Sequence, residues 1–361
     1  MVKITKNIEE SSTLPSAFYS SKELFFETID SVFSRSWHLV SDQSKLDIDK
    51  SVLPFILMED LIPEPLFLVN LDNEISCYSN VCTHRGNLLV NDPGLLKHGI
   101  MCGYHGRRFD LSGKFVSMPE TKGMKNFPCE NDDLPKVPCQ KWRQFIFTGL
   151  NPKISINDLV SDMEKRISWM PIEDFEYRED LSKQYEINAN WALYCDNYLE
   201  GFHIPFIHND LNAVLDYENY DVDLFPYSNL QIGYSNDREI CFDLPKESYD
   251  YGGNIAAYYF WLFPNMMFNF YPWGLSLNII TPLSIDKTKV EFKSYVWKED
   301  LLKKGAGADV DKVELEDQQI VQNVHKGVKS RLYNHGRFSP KMEKGVHHFH
   351  TLLQSCCNFL K

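Results

Sequence analysis

Cationic residues are in short supply in this chain. Thirty-seven lysines and arginines stand against 50 aspartates and glutamates in 361 residues, a net charge of −13. Phosphate backbones are held by clustered cations, so this balance argues against nucleic acid as a partner and against an anionic membrane surface. Long apolar runs are lacking too. The most membrane-like stretch, 258–280, is interrupted by Pro264, Asn265, Asn269, Pro272 and Gly274, which fits buried strands better than a bilayer span. No apolar run follows Lys3 and Lys6, so no secretory signal is visible and a cytoplasmic location is expected. The nine cysteines are an odd number in a chain far too long to need a disulfide framework. Reduced thiols or metal ligands are expected instead.

What is present suffices for a sizeable core, with 43 % hydrophobic and 24 % charged residues. The length suits roughly two domains. Ser21 can cap a helix in which Leu24, Phe25, Ile29, Val32 and Phe33 recur at helical spacing. From Leu39 to about Leu150 the texture changes to short apolar runs separated by turn residues. These runs are 52–58, 65–70, 75–78, 109–115 and 144–149, and they predict a small antiparallel β-domain. Beyond Pro152 helices are predicted at 156–167, from an Asn190 cap to about Phe202, at 313–329 and at 345–360. Strands are predicted at 185–187, 230–234, 258–263, 266–270, 275–281 and 290–296. Pro205 is expected to stop the helix that Asn190 begins.

Two loops carry the first chemistry. Cys82-Thr83-His84-Arg85-Gly86 is followed, after 17 residues between His84 and Cys102, by Cys102-Gly103-Tyr104-His105-Gly106. Two thiolates and two imidazoles can hold zinc or an iron–sulfur cluster. Zinc fingers usually draw both cysteines from one element and both histidines from another. One of each per loop favours a [2Fe–2S] cluster, with one iron on Cys82 and Cys102 and the other on His84 and His105. Gly86, Gly103 and Gly106 allow the backbone to approach closely. The other cysteines have no such spacing and read as small buried hydrophobes.

These paired motifs, C-x-H-R-G and C-x-Y-H-G, resemble the Rieske family. Arg107 stands where that family usually has tryptophan, which leaves ligation intact but alters the packing around the second loop.

A second set follows in Glu200, His203 and His208. The spacing of three places Glu200 and His203 on one helix face, and a chain turning at Pro205 can swing His208 back. Two histidines plus one distant carboxylate form a facial triad with open positions on Fe(II). Glu316-Asp317, in the predicted helix 313–329, is the candidate source, with Asp317 favoured. On the residues alone Asp317 reads rather as a solvated helix position, and the histidines read equally as buried and hydrogen-bonded.

The longer pattern N-W-x(5)-N-Y-L-E-x-x-H-x(4)-H, with E-D much later, resembles the α-subunits of Rieske non-haem iron oxygenases. The resemblance implies an α+β fold, with a Rieske antiparallel β-domain (39–150) and a helix-grip-like catalytic domain (151–361). Residues 1–38 form an N-terminal helical segment packed on the latter. It implies mononuclear iron on His203, His208 and Asp317. Glu200, where Asp is commoner, would link His203 to His105 of the adjacent subunit in a homotrimer. Glu at this position resembles the branch acting on carnitine- and betaine-like quaternary amines. Electrons from a reductase or ferredoxin, dioxygen and a small-molecule substrate complete the scheme, ending in hydroxylation or oxidative demethylation. Aromatic-ring hydroxylation is the alternative, and a non-catalytic Rieske electron-transfer or redox-sensing protein is the alternative of another class.

Asn197, one turn before Glu200, is a candidate to face the iron or else a helix-surface amide. Tyr259, Trp261, Phe268, Phe270, Tyr271 and Trp273 could cage a trimethylammonium group by cation–π attraction, or simply fill the core. His347, His348 and His350 lack metal spacing and read as helix packing or a subunit contact.

Overall fold

The computed structural model describes residues 4–208, 222–235, 241–302, 304–305 and 310–357. They fall into two units, one of residues 34–156 and one of residues 1–33 with 157–361. Among the described residues no helix is long and apolar enough to cross a membrane.

The paired strands of the 34–156 unit are all antiparallel. Its five-stranded sheet runs Gly94–Leu95, Ser51–Met58, Ile62–Leu71, Glu74–Ser79, Lys136–Val137, and two three-stranded sheets accompany it. Asp72 and Asn73, with φ of 53° and 66°, close the hairpin between Ile62–Leu71 and Glu74–Ser79. Two successive left-handed residues match the twist of paired strands. Alternation makes Ile62–Leu71 a wall between two cores. Phe67 and Val69 join Cys82, Cys102 and Phe109 on one side, while Leu66 and Leu68 join Leu46, Cys77 and Ile146 on the other. The run 109–115 forms the hairpin of Arg108–Phe109 and Phe115–Ser117, turning at Ser112 and Gly113. The Asp110 carboxylate accepts from the backbone N–H of Ser112 and Lys114, which curls the chain, and Gly113 supplies a φ of 79°.

The other unit is built on a seven-stranded antiparallel sheet. Its order is Glu176–Ile187, Lys287–Val296, Gly274–Ser284, Met266–Tyr271, Ile255–Leu262, Ser228–Tyr234, Val222–Leu224. Helices Trp191–Tyr198, Val310–Gly327 and Lys344–Cys356 belong to this unit, and the first packs on both others and on Gly274–Ser284. This is the α+β class read from the sequence. The Ser21 cap forms, its hydroxyl accepting from Leu24 N–H. So does the Asn190 cap, which accepts from Ala192 N–H. Trp191 is 1 % exposed, with Phe33 and Phe349 edge-on at 4.8 and 5.7 Å. Truncating such a side chain costs roughly 3–5 kcal/mol. The expected C-terminal helix ends at Cys356, and residues 358–360 of that prediction lie outside the described residues.

Two expectations about the motif-bearing segment are corrected. The helix from Asn190 stops at Tyr198 and does not reach Phe202, so Glu200 and His203 do not share its face. The Glu200 carboxylate instead accepts from the backbone N–H of Phe202 and of His203, competing with helix continuation. Pro205 does not stop a helix but lies in the first turn of a new one, Ile204–Ile207, where its missing N–H is not needed.

Candidate active site and metal centres

In the 34–156 unit the two Cys–His loops have the same internal geometry. The N–H of Cys82 donates to Asn87 O, and that of Gly86 to Cys82 O; the N–H of Cys102 donates to Arg107 O, and that of Gly106 to Cys102 O. Gly86 and Gly106 take φ of 71° and 69°, a conformation that favours glycine. The loops bring the Cys82 and Cys102 thiols into hydrogen-bond contact and place the His84 and His105 rings 4.8 Å apart. Burial pushes the Cys82 thiol up. Burial acts upward on Cys102 as well, but the N–H groups of Tyr104 and His105, the Cys82 thiol and the Asn87 amide outweigh it and hold that thiol below its ordinary value. Partial desolvation, then His105, Arg107 and Arg85, lower His84, favouring the neutral ring that a metal ligand must be. His105 Nδ1 is buried with no hydrogen-bond partner among the described residues. An orphaned imidazole nitrogen beside paired thiols fits a mixed thiolate–imidazole cluster.

In the other unit His203, His208 and Asp317 converge, each offering a ligand atom within 4.8 Å of the others. Asp317 Oδ1 lies 3.0 Å from His208 Nε2 and 3.6 Å from His203 Nε2. Ligands about 2.1 Å from one ion fall about 3 Å apart at right angles, so the set fits a divalent metal. Both remaining imidazole nitrogens are engaged by carboxylates: His203 Nδ1 is 2.7 Å from Glu200 Oε1, and His208 Nδ1 is 2.7 Å from Glu316 Oε2. Burial works against the His208 cation, but Asp317 and then Glu316 outweigh it and raise its pKa.

The Glu316 contact is the feature that sequence reasoning missed. Glu316 and Asp317 were read as rivals for one metal position, yet the two address opposite edges of the same ring. Their adjacency on one helix was the available signal.

These ligand atoms border a cavity of about 830 Å³ that opens to solvent. Tyr194, Tyr198, Tyr259 and Tyr271 line it, as do Asn197 and Glu200. No Lys or Arg is among its described lining residues, whereas Glu314 is. Tyr259 and Tyr271 meet edge to face at 5.9 Å and 81°, forming a corner. Tyr271 stacks on Trp273 at 5.4 Å. Burial pushes both tyrosine hydroxyls up, so the rings stay neutral.

Strand alternation and position along the strands sort the six aromatic candidates. Tyr259 and Tyr271 reach the cavity. Trp261 packs on Phe349 at 5.2 Å, and Trp273 borders a neighbouring cavity of about 360 Å³. Phe268 and Phe270, one residue out of phase with Asn269 and Tyr271, lie on the opposite face. The cavity face also carries Gln231, Asn269 and Asn278, amides that stand among aromatic strand residues. Among the C-terminal histidines, His350 Nε2 is 2.8 Å from Asp196 Oδ1 and His347 Nε2 is 2.8 Å from Thr5 O, so both tie helix Lys344–Cys356 to its surroundings.

A Rieske [2Fe-2S] domain matches residues 36–128, and the catalytic domain of the ring hydroxylating alpha subunit matches residues 173–358. The chain is 29 % identical to the chloroplastic choline monooxygenase of Arabidopsis thaliana, covering 96 % of this chain and 83 % of that protein. It is 27 % identical to the carnitine monooxygenase oxygenase subunit of Escherichia coli (strain K12), covering 96 % and 94 %. The fold is similar to that of the quaternary ammonium Rieske monooxygenase CntA in complex with L-carnitine, with a TM-score of 0.76, 22 % identity and 97 % of each chain covered. It is also similar to naphthalene 1,2-dioxygenase with indole bound, with a TM-score of 0.73, 18 % identity, and 99 % and 95 % covered.

Proposed function

This chain belongs to the ring-hydroxylating α-subunit family, Rieske oxygenases that use a [2Fe–2S] cluster and mononuclear iron, and from that premise we propose that it oxidises a small quaternary ammonium compound. The observation that carries the reading is the tyrosine corner of Tyr259 and Tyr271 beside the His203–His208–Asp317 set, in a cavity that also presents the Glu314 carboxylate. Neutral aromatic faces and carboxylates attract a trimethylammonium group and fail to hold an anion. The relatives named for choline and for carnitine support the same class.

In this reading Cys82, His84, Cys102 and His105 hold the cluster, and His203, His208 and Asp317 hold the iron. When bound, these groups supply single electrons and an oxygen-activating centre, respectively. The chain's own residues orient them. Glu200 accepts from His203 Nδ1–H and Glu316 from His208 Nδ1–H, so each ring presents Nε2 in the correct tautomer. Tyr194 donates its hydroxyl to Glu314, and Gln318 donates at 3.0 Å, which fixes that carboxylate at the cavity edge. Tyr198 donates to Asn269 Oδ1 at 2.6 Å, holding its ring against the sheet. Asn197, at the cavity wall, orients substrate.

The protein works as a homotrimer in which His105 of one copy approaches Glu200 of the next, and a reductase or ferredoxin supplies electrons. The solved quaternary ammonium monooxygenase described for inter-subunit electron transfer supports the passage of electrons between copies. The test is oxygen consumption by the metal-loaded enzyme with a generic reductase, across matched panels of quaternary amines and aromatic hydrocarbons. Stimulation by the amines is expected. Stimulation by the aromatics alone would overturn the substrate assignment.

A further inference from the structure

Arg107 occupies the position after the second cluster-loop glycine, and its guanidinium is driven inward: the residue is 2 % exposed. Its Nη2 donates to Asp132 Oδ1 at 2.7 Å and to Asp132 O at 3.0 Å, its Nη1 contacts Met118 Sδ at 3.6 Å, and its Nε has no partner among the described residues. Three aromatic rings supply the rest of its surroundings. The guanidinium carbon lies 4.6 Å from the centre of Phe115, 5.6 Å from Phe127 and 5.7 Å from Phe109. A buried cation is held at a cost that one carboxylate and three π-faces offset. Such a site is built, not incidental.

Asp132 joins both cluster loops. Its carbonyl accepts from the guanidinium of Arg107 and also from the hydroxyl of Thr83, the residue between Cys82 and His84, at 2.8 Å. Its second carboxylate oxygen is taken by Cys129 N–H at 2.8 Å. The Arg107 carbonyl in turn accepts from Cys102 N–H at 2.8 Å. The guanidinium is thus fixed relative to Cys82, His84 and Cys102 by hydrogen bonds at both ends. Its charge also reaches two of them, since Arg107 is among the groups acting on Cys82 and His84. Asp132, whose side chain is 17 % exposed, faces solvent more than its partner does.

We propose that Arg107 is a positioning residue whose buried charge raises the reduction potential of the Rieske cluster, with Asp132 as the anion that locks it in place and partly opposes it. The step concerned is the entry of one electron from the reductase or ferredoxin into the oxidised cluster, with no bond made or broken. A fixed cation in a low-dielectric shell stabilises that added negative charge, and a fixed anion disfavours it. The two residues therefore push the potential in opposite directions. A purely structural clamp has no such sign.

This inference rests on the assignment of Cys82, His84, Cys102 and His105 as cluster ligands. The experiment is an EPR-monitored redox titration of the cluster-loaded protein, wild type against Arg107→Met, Arg107→Lys and Asp132→Asn. Arg107→Met should shift the midpoint negative, Arg107→Lys should restore it toward wild type, and Asp132→Asn should shift it positive. An unchanged midpoint in Arg107→Met, or shifts of the same sign in the methionine and asparagine variants, would overturn the proposal. Should Arg107→Met fail to retain cluster, Asp132→Asn decides: a positive shift supports the proposal, and a negative or absent shift refutes it. Absence of any Rieske signal from the wild type would refute the ligand assignment instead.

Discussion

His208 Nδ1 lies 2.7 Å from Glu316 Oε2, while the opposite nitrogen of the same ring lies 3.0 Å from Asp317 Oδ1. In the proposed assignment, neighbouring residues on one helix serve different purposes, Asp317 as ligand and Glu316 as the group that fixes the ring. Asp317→Ala should abolish mononuclear iron binding and leave the Rieske absorption intact. Glu316→Ala should weaken iron binding by about 10–100-fold without abolishing it. Iron and acid-labile sulfide analysis, with a competition titration for the second variant, distinguishes the two. Equal losses from both would contradict the division of labour.

The tyrosine corner makes a separate prediction. Removing one ring of a desolvated cation–π site loses about 0.5–2 kcal/mol. Tyr271→Leu should therefore raise the KM for a quaternary amine by roughly 2–30-fold. A neutral isostere bearing a tert-butyl group in place of trimethylammonium should be affected much less. Parallel changes for both compounds would mean that Tyr271 supplies shape alone.

His348 provides the pH test. Burial, aided by the charge of His347, lowers its pKa from 6.5 to about 4, and its Nδ1 is buried without a partner among the described residues. The unfolded chain takes up a proton below about 6.5 that the folded protein refuses. The stability from a neutral His348 is complete above that pH and is lost as the pH falls toward 4. Wild type should lose about 2 kcal/mol more than His348→Gln between pH 7 and pH 5, measured by urea unfolding. Identical pH slopes would refute the shift.

Gly345 makes a packing prediction. A Cβ there would sit 2.4 Å from Leu199 O and 3.5 Å from Asn229 Nδ2. The obstructing atom is backbone, so no rotamer relieves it, and the segment that moves is the one leading into Glu200. Gly345→Ala should cost about 1–3 kcal/mol. It should also slow substrate-dependent reoxidation of the reduced cluster at unchanged iron and sulfide content. Stopped-flow absorbance checks this, and a wild-type rate would separate Gly345 from the placement of Glu200.

Much of this architecture was legible in the residues because period and caps agree locally. The Ser21 and Asn190 caps formed, and the strands 266–270 and 290–296 were placed within a few residues. Legibility failed where a side chain competes with the backbone. Glu200 was read by helical spacing, yet its carboxylate caps the following turn, so the contact with His203 survived for a different reason. Pro205 was read as a stop because proline breaks a helix interior, yet it lies in the first turn of a new helix of only four residues, Ile204–Ile207. Which aromatics reach the cavity depended on position along each strand and on strand phase, set by cross-strand register such as Tyr259 opposite Asn269. One residue of offset moves a ring to the other face.

The central claim is that a quaternary ammonium compound bound among these tyrosines is oxidised with electrons stored at the Cys–His loops. A single turnover addresses it most directly. The metal-loaded protein is reduced, freed of reductant, and mixed with dioxygen and a choline-type or carnitine-type amine while the cluster absorbance and the oxidised product are followed. The account predicts that the amine accelerates cluster reoxidation and that product forms in proportion to the electrons lost. Reoxidation at one unchanged slow rate, with no oxidised amine recovered, would contradict it.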